Sequence, residues 1–178
     1  MSRIAIVSDT HGSLKNLSLF SDRIGQPDAL WHLGDCAEDA PILAQKLNCG
    51  YVGVRGNCDP FSDAPLTETI EWHHKRFLLL HGHTVSGRLN MLYLAKEKQC
   101  DAVLFGHSHV PSVETVDGIQ LINPGSLSRP RSSSGPSMAL LTLTDDAFDV
   151  QLLYAKSEVQ IIHKLSTFLC IDNLKYSK

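Results

Sequence analysis

Three things are scarce in this chain of 178 residues, and each scarcity closes off a class of protein. Positive charge is the first. Lys and Arg number 16 against 19 Asp and Glu, a formal net charge of −3, so bulk electrostatics gives no footprint for nucleic acid. Long apolar runs are the second: none reaches the ~18 residues of a membrane span. The opening MSRIAIVSDTHG also lacks the basic region, apolar stretch and cleavage site of a secretory leader, so the expected compartment is the cytoplasm. Paired cysteines are the third. Cys36, Cys49, Cys58, Cys100 and Cys170 are odd in number, scattered and without a C-x-x-C, which fits reduced thiols rather than a disulfide framework.

What is there is an ordinary globular composition, 43% hydrophobic and 20% charged, with no repeat and no shift in character along its length. One domain spanning residues 1–178 is expected. Short apolar runs alternate with amphipathic stretches. Residues 3–9 (RIAIVSD), 29–35 (ALWHLGD) and 50–57 (GYVGVRGN) read as strands, and 13–25 and 39–48 between them as helices. That rhythm calls for a partly parallel sheet with helices on its faces. Further on, 66–83 reads as a hairpin turning near His74-Lys75, 85–99 as a helix and 101–107 as a strand. Antiparallel strands follow, with Asp117-Gly118 as a hairpin turn. Residues 128–137 form a Ser/Pro/Gly loop between strands, and 156–178 read equally as helix or irregular chain. The fold expected is α/β, a two-sheet β-sandwich flanked by helices.

Polar residues gather where the apolar runs stop. The first run ends in Asp9 and His11, the second in Asp35 and the third in Asn57; later runs end in His81 and His83, and in His107 and His109. In α/β sheets the crevice beyond the carboxyl ends of strands is the usual ligand site. Each dipeptide alone carries little, but two carboxylates, an amide and up to four of these five imidazoles capping apolar runs are costly to bury without a shared partner. In a strand, residues i and i+2 point the same way, so each H-x-H pair is expected to aim both rings at one place. Oxygen donors mixed with imidazoles suit Mn²⁺, Fe, Ni or Zn²⁺, and seven donors exceed one tetrahedral site. They match two metals sharing a bridging carboxylate. Competing motifs fail: there is no H-E-x-x-H, and HGHTVS carries Val85 where a metallo-β-lactamase run needs aspartate.

The order D-x-H (Asp9, His11), G-D (Gly34, Asp35), G-N (Gly56, Asn57), H-G-H (His81, His83) and G-H-x-H (Gly106, His107, His109), followed by NPGS (Asn123 to Ser126), resembles the calcineurin-like metallophosphoesterase superfamily. The compact bacterial and archaeal phosphodiesterases of that superfamily are the most similar, and the resemblance runs from Asp9 to about Ser126. It implies an αββα sandwich and two divalent ions, most readily Mn²⁺. Asp9, His11 and His109 would bind one ion, Asn57, His81 and His107 the other, and Asp35 would bridge both.

The implied activity is hydrolysis of a small phosphodiester by a metal-bridging hydroxide. Two divalent ions less Asp9, Asp35 and a hydroxide leave a site of about +1, which attracts a phosphate anion and stabilises charge gathering in an in-line displacement. Asn57 as a neutral ligand keeps that surplus. The departure from the family lies after the G-N motif, where a histidine often stands to protonate the leaving oxygen. Here Cys58 stands there, a weak donor, so the expected preference is for good leaving groups unless His83 takes the role. Arg55 and Arg129 are candidate phosphate contacts, and Arg131 reads as surface charge. Glu38 and Asp59 are candidates to brace the ligands, and Asn123 and Ser126 to shape the loop. Two other functions compete: a phosphomonoesterase or nucleotide hydrolase of the same fold, and a non-catalytic scaffold like the retromer subunit that shares it. The scaffold lacks part of the ligand set, whereas all seven ligands are present here. A homo-oligomer is expected, with the two C-terminal strand patterns as its interface.

Overall fold

The computed structural model describes residues 1–85, 87–145, 147–155 and the strand at 161–164. Its strands are β1 (Ser2–Val7), β2 (Ala29–His32), β3 (Gly50–Gly53), β4 (Thr67–Trp72), β5 (Lys75–Leu80) and β6 (Ala102–Leu104). They continue as β7 (Ser112–Val116), β8 (Ile119–Asn123), β9 (Ser137–Leu143), β10 (Phe148–Tyr154) and β11 (Ile161–Lys164). Among the described residues three α-helices accompany them, α1 (Ser21–Ile24), α2 (Asp39–Leu47) and α3 (Arg88–Glu97). One sheet has the order β11-β10-β9-β1-β2-β3 and the other β4-β5-β6-β8-β7. Pairing is parallel in β3-β2-β1 and in β5-β6-β8, and antiparallel elsewhere.

Alternation along each central strand builds three apolar layers. Ile4 and Ile6 of β1 face the other sheet and pack with Trp31, Phe77, Leu79, Leu104, Leu141 and Phe148. Ala5 and Val7 turn outward, onto Phe20, Ile24, Leu43 and Leu47. Leu78, Leu80, Val103 and Leu121 of the second sheet take Met91, Leu92 and Ala95 of α3 on their own outer face. The central strands are buried on both faces, which is why they read as continuous apolar runs. The result is the expected helix–sheet–sheet–helix stack. Each fully buried Leu, Ile or Phe contributes roughly 1.5–3 kcal/mol of apolar burial.

Several expectations shift in detail. Residues 13–25 form a 3₁₀ helix (Lys15–Phe20) running into the short α1, not one continuous helix. Gly25, with φ 55°, ends it as expected. The first hairpin turns at His73-His74, both left-handed, one residue earlier than expected. Strands β2 and β6 stop at His32 and Leu104, so the polar residues beyond them occupy loops. Part of the tail, 161–164, is strand rather than helix or irregular chain. It pairs with β10, and β9 lies between β1 and β10. Cys170 and the remainder of 156–178 lie outside the described residues.

Candidate metal centre and substrate cleft

The carboxyl ends of β1, β2, β3, β5 and β6 open onto one region, and backbone bonds stitch their loops together there. Leu33 N donates to Val7 O (2.9 Å), Asp9 N to Gly34 O (3.0 Å), Val54 N to His32 O (3.0 Å) and Gly106 N to His81 O (3.0 Å). Asp9, His11, Asp35 and His109 converge so closely that one ligand atom from each lies within 4.8 Å of all the others. These four are placed to hold a metal ion.

The convergence depends on unusual backbone. Asp9 (φ 54°), His11 (φ 44°), Asp35 (φ 59°), His107 (φ 66°) and His109 (φ 60°) all occupy the left-handed region. Such conformations cost about 1 kcal/mol or more apiece for non-glycine residues and cluster at functional sites. They also replace the expected orientation of the H-x-H pairs: all four histidines lie beyond their strands, so left-handed turns aim His107 and His109 rather than strand alternation. The glycines allow close approach. A Cβ on Gly56 would collide with the Asp35 carboxylate, and one on Gly106 with Ser8 Oγ and, at 2.8 Å, with Asp9 Oδ2.

Two imidazoles have their tautomers set from behind. His81 Nδ1 lies 2.7 Å from the Leu33 carbonyl and His109 Nδ1 2.6 Å from the Arg129 carbonyl. Each Nδ1–H donates to its carbonyl, which leaves the Nε2 lone pair facing the centre. What those lone pairs face is carboxylate: His109 Nε2 is 3.1 Å from Asp9 Oδ1, and His81 Nε2 is 3.3 Å from Asp35 Oδ1 and 3.9 Å from Asp9 Oδ1. Asp9 Oδ1 and His81 Nε2 are buried without a hydrogen-bond partner. Acceptors turned on acceptors in a dry site repel unless a cation lies between them, and this donor set fits a divalent metal. A proton is the other relief. Burial opposes charge on His81, but the Asp35 contact and the charges of Asp9 and Asp35 outweigh it and raise the imidazole above its ordinary range. Burial also pushes the Asp35 carboxyl up, yet His81 and the Cys58 N–H (2.9 Å to Oδ1) hold it far below the usual carboxylate range.

The remaining expected ligands are nearby. His107 N donates to Asp9 Oδ2 (3.1 Å), and the His107 ring lies 5.2 Å from that of His81. Asn57 shares a cleft of about 310 Å³ with His11, Asp35, Cys58, His107, His109, Arg129 and Arg131. Its side-chain amide is turned onto Cys58 Sγ (3.5 Å). The ring of His83 is 5.4 Å from that of His81, but His83 lines a neighbouring groove with Met91 and Phe105. Cys58 is at the cleft itself. Burial, reinforced by Asp35 and Asp59, pushes its thiol up to about 11, so it stays protonated at neutral pH. Arg131 is exposed, in keeping with its reading as surface charge, and lines the cleft together with Arg129. Arg55 does not line it: it donates to Ser62 O (3.3 Å) and braces the loop after β3.

Three supports hold this arrangement. The buried Asp59 carboxylate accepts four backbone N–H groups, from Asp35 (2.9 Å), Cys36 (2.6 Å), Ala37 (3.1 Å) and Gly56 (2.7 Å), tying the G-D loop to the G-N loop. His32, fully buried, accepts the Gly34 N–H at Nδ1 (3.2 Å) and so donates from Nε2 to Thr10 Oγ1 (3.1 Å), which donates to the Asp35 carbonyl (3.2 Å). Burial lowers the His32 pKa to about 4 and keeps the ring neutral. Ser126 Oγ donates to the Asp9 carbonyl (2.8 Å) and accepts the Arg129 N–H (2.8 Å), while Asn123 donates to the Gly106 carbonyl (2.9 Å). Sequence reasoning missed His32 and Thr10 altogether. The available signal was a histidine inside the otherwise apolar run ALWHL.

Residues 2–146 match the profile of the calcineurin-like phosphoesterase superfamily domain, and the chain belongs to that superfamily. Among its relatives, the probable metallophosphoesterase YsnB of Bacillus subtilis is 34% identical over 152 residues, 83% of this chain and 88% of its own. The phosphodiesterase YfcE of Escherichia coli K12 is 31% identical over 165 residues, 79% of this chain and 88% of its own. A solved structure of Vps29 with Zn²⁺ from Entamoeba histolytica superposes with a TM-score of 0.77 at 20% identity, over 92% of this chain and 98% of the other, a likeness of fold alone. No helix among the described residues is long and apolar enough to cross a membrane.

Proposed function

We propose that this protein is a phosphodiesterase working with two divalent metal ions. Asp9, His11 and His109 would hold one ion and Asn57, His81 and His107 the other, with Asp35 serving both. The observation that carries the reading is the pair of imidazole lone pairs, on His81 and His109, fixed from behind and aimed at Asp9 and Asp35. Membership of a superfamily that uses divalent metals and the likeness to the phosphodiesterase YfcE support it. When bound, the ions would supply an activated water and neutralise charge on the phosphoryl oxygens.

The chain's own residues do the rest. Arg129 and Arg131 line the cleft and attract the anionic diester. Asp59 and the His32–Thr10 chain keep Asp35 in its strained conformation without being consumed by the reaction. The Cys58 thiol, protonated at neutral pH, is a weak donor to a departing oxygen and does not compete as a nucleophile. The preferred substrates are therefore diesters whose alcohol leaves without a strong acid. A phosphomonoesterase of the same site is the competing enzyme reading. Mn²⁺-dependent hydrolysis of bis-p-nitrophenyl phosphate over p-nitrophenyl phosphate, lost in Asp35→Ala, is the test. No turnover of either ester with any divalent metal would favour the non-catalytic scaffold.

A further inference from the structure

The cleft continues past Cys58. A second groove, about 190 Å³, is lined by Glu38, Cys58, Asp59, Pro60, Phe61 and Ser62, and Cys58 is common to both. Phe61 stands on its wall with its ring almost wholly in solvent, 97% exposed, at the tip of the loop between β3 and β4. That exposure does not come from a loose loop. Arg55 N donates to Pro65 O (2.9 Å), Ser62 N to Asp59 O (3.2 Å), Ala64 N to Ser62 Oγ (3.2 Å), and the Arg55 guanidinium to Ser62 O. Asp59, two residues before Phe61, is anchored by the four N–H groups already described. A large aromatic ring held in water on a braced loop, beside a reaction centre, is a surface poised for a flat partner.

We propose that this groove receives the leaving group of the substrate, and that the leaving group is a neutral, planar aromatic one, stacked on Phe61. The proposal rests on the phosphodiesterase reading. Charge sets the direction of binding: Arg129 and Arg131 line the metal cleft but not the Phe61 groove and hold the anionic phosphoryl end, while exposed Glu38 lines the Phe61 groove and repels an anionic leaving group. Asp59 adds no free acceptor there, its oxygens being taken by backbone N–H groups. In the reaction a water oxygen bonds to phosphorus and the P–O bond to the aromatic alcohol breaks. The departing oxygen keeps the electron pair, so an acidic phenol leaves unaided and a less acidic alcohol needs a proton. Cys58 lies between the phosphoryl site and Phe61, where the departing oxygen would pass. The same aromatic chemistry could come from an aryl alcohol or from the base of a nucleoside.

Three methyl phosphodiesters test this, with p-nitrophenol, uridine (through O5′) or 2,2,2-trifluoroethanol as the other alcohol. For Phe61→Ala, kcat/KM falls about tenfold on an ester whose aromatic group stacks, carried mainly by KM, against less than twofold on the trifluoroethyl ester. Phe61→Tyr restores the rate. Which aromatic ester depends on Phe61 names the source. A second variant, Glu38→Lys, raises kcat/KM about tenfold for methyl 4-carboxyphenyl phosphate while leaving the p-nitrophenyl ester within twofold. Equal effects of Phe61→Ala on all three esters, or no effect on any, would overturn the subsite while leaving the phosphodiesterase reading in place. Failure of the unaltered protein to hydrolyse any of them with any divalent metal would overturn that reading, and the subsite with it.

Discussion

His109 Nε2 points its lone pair at Asp9 Oδ1 across 3.1 Å, because its other nitrogen is committed to the Arg129 carbonyl. The confrontation predicts an inverted stability pattern. In chelator, Asp9→Asn is more stable than the unaltered protein by about 1 kcal/mol, since an amide N–H can donate to His109 while the amide oxygen still accepts the His107 N–H. With Mn²⁺ at a hundredfold its Kd, the unaltered protein gains about 2.7 kcal/mol and the variant gains little. Chemical unfolding with and without metal checks both halves.

Asp59 is expected to matter more to stability than its place outside the cleft implies. Asp59→Ala leaves four buried N–H groups without their acceptor, a loss of about 3 kcal/mol or more. Asp59→Asn recovers only part, because its NH₂ faces donors. Denaturant midpoints at fixed pH, read with retained m-values, would show this order.

His32 predicts a pH dependence whose sign follows from its lowered pKa. The unfolded ring takes up a proton as pH drops below ~6.5, whereas the buried ring resists until about 4. Its contribution is therefore complete above ~6.5 and is lost as pH falls towards 4, by about 3 kcal/mol in all. Comparing metal-free protein with His32→Gln between pH 7 and 4.5 isolates it, the variant losing less. Parallel curves for the two proteins would exclude it.

Cys58→His restores a proton donor at the cleft. The rate on dialkyl phosphodiesters should rise about tenfold to a hundredfold, with little change on bis-p-nitrophenyl phosphate, whose leaving group needs no acid. Cys58→Ala should stay within about threefold of the unaltered protein on the activated ester, as expected of a thiol that performs no essential step. Steady-state kinetics on the matched pair of substrates decides it.

The layers and the strand-end clustering were legible because buried strands write themselves as apolar runs, and polar residues at their ends stand out against them. RIAIVSD, ALWHLGD and LLLHGH each show where a strand stops and a side chain begins to act. The supports were far less legible. Asp59 could be read as a brace but not its partners, because it works through backbone N–H groups, and His32, acting through Thr10 and a carbonyl, left only the trace of a histidine in an apolar run. His107 and His109 do share one cleft, but left-handed turns beyond the strand aim them there rather than strand alternation. Phe61 carried no signal either, because an isolated exposed aromatic acquires meaning only when a cleft beside it is seen.

The central claim, a two-metal phosphodiesterase site bridged by Asp35, is tested most directly by titrating metal-stripped protein with Mn²⁺ by calorimetry, for the unaltered chain and for Asp35→Asn, while following bis-p-nitrophenyl phosphate hydrolysis in the same samples. Two equivalents bound by the unaltered chain, with activity appearing as the second site fills and both lost in Asp35→Asn, is the predicted result. Full activity at one equivalent, or activity that survives metal removal or Asp35→Asn, would contradict it.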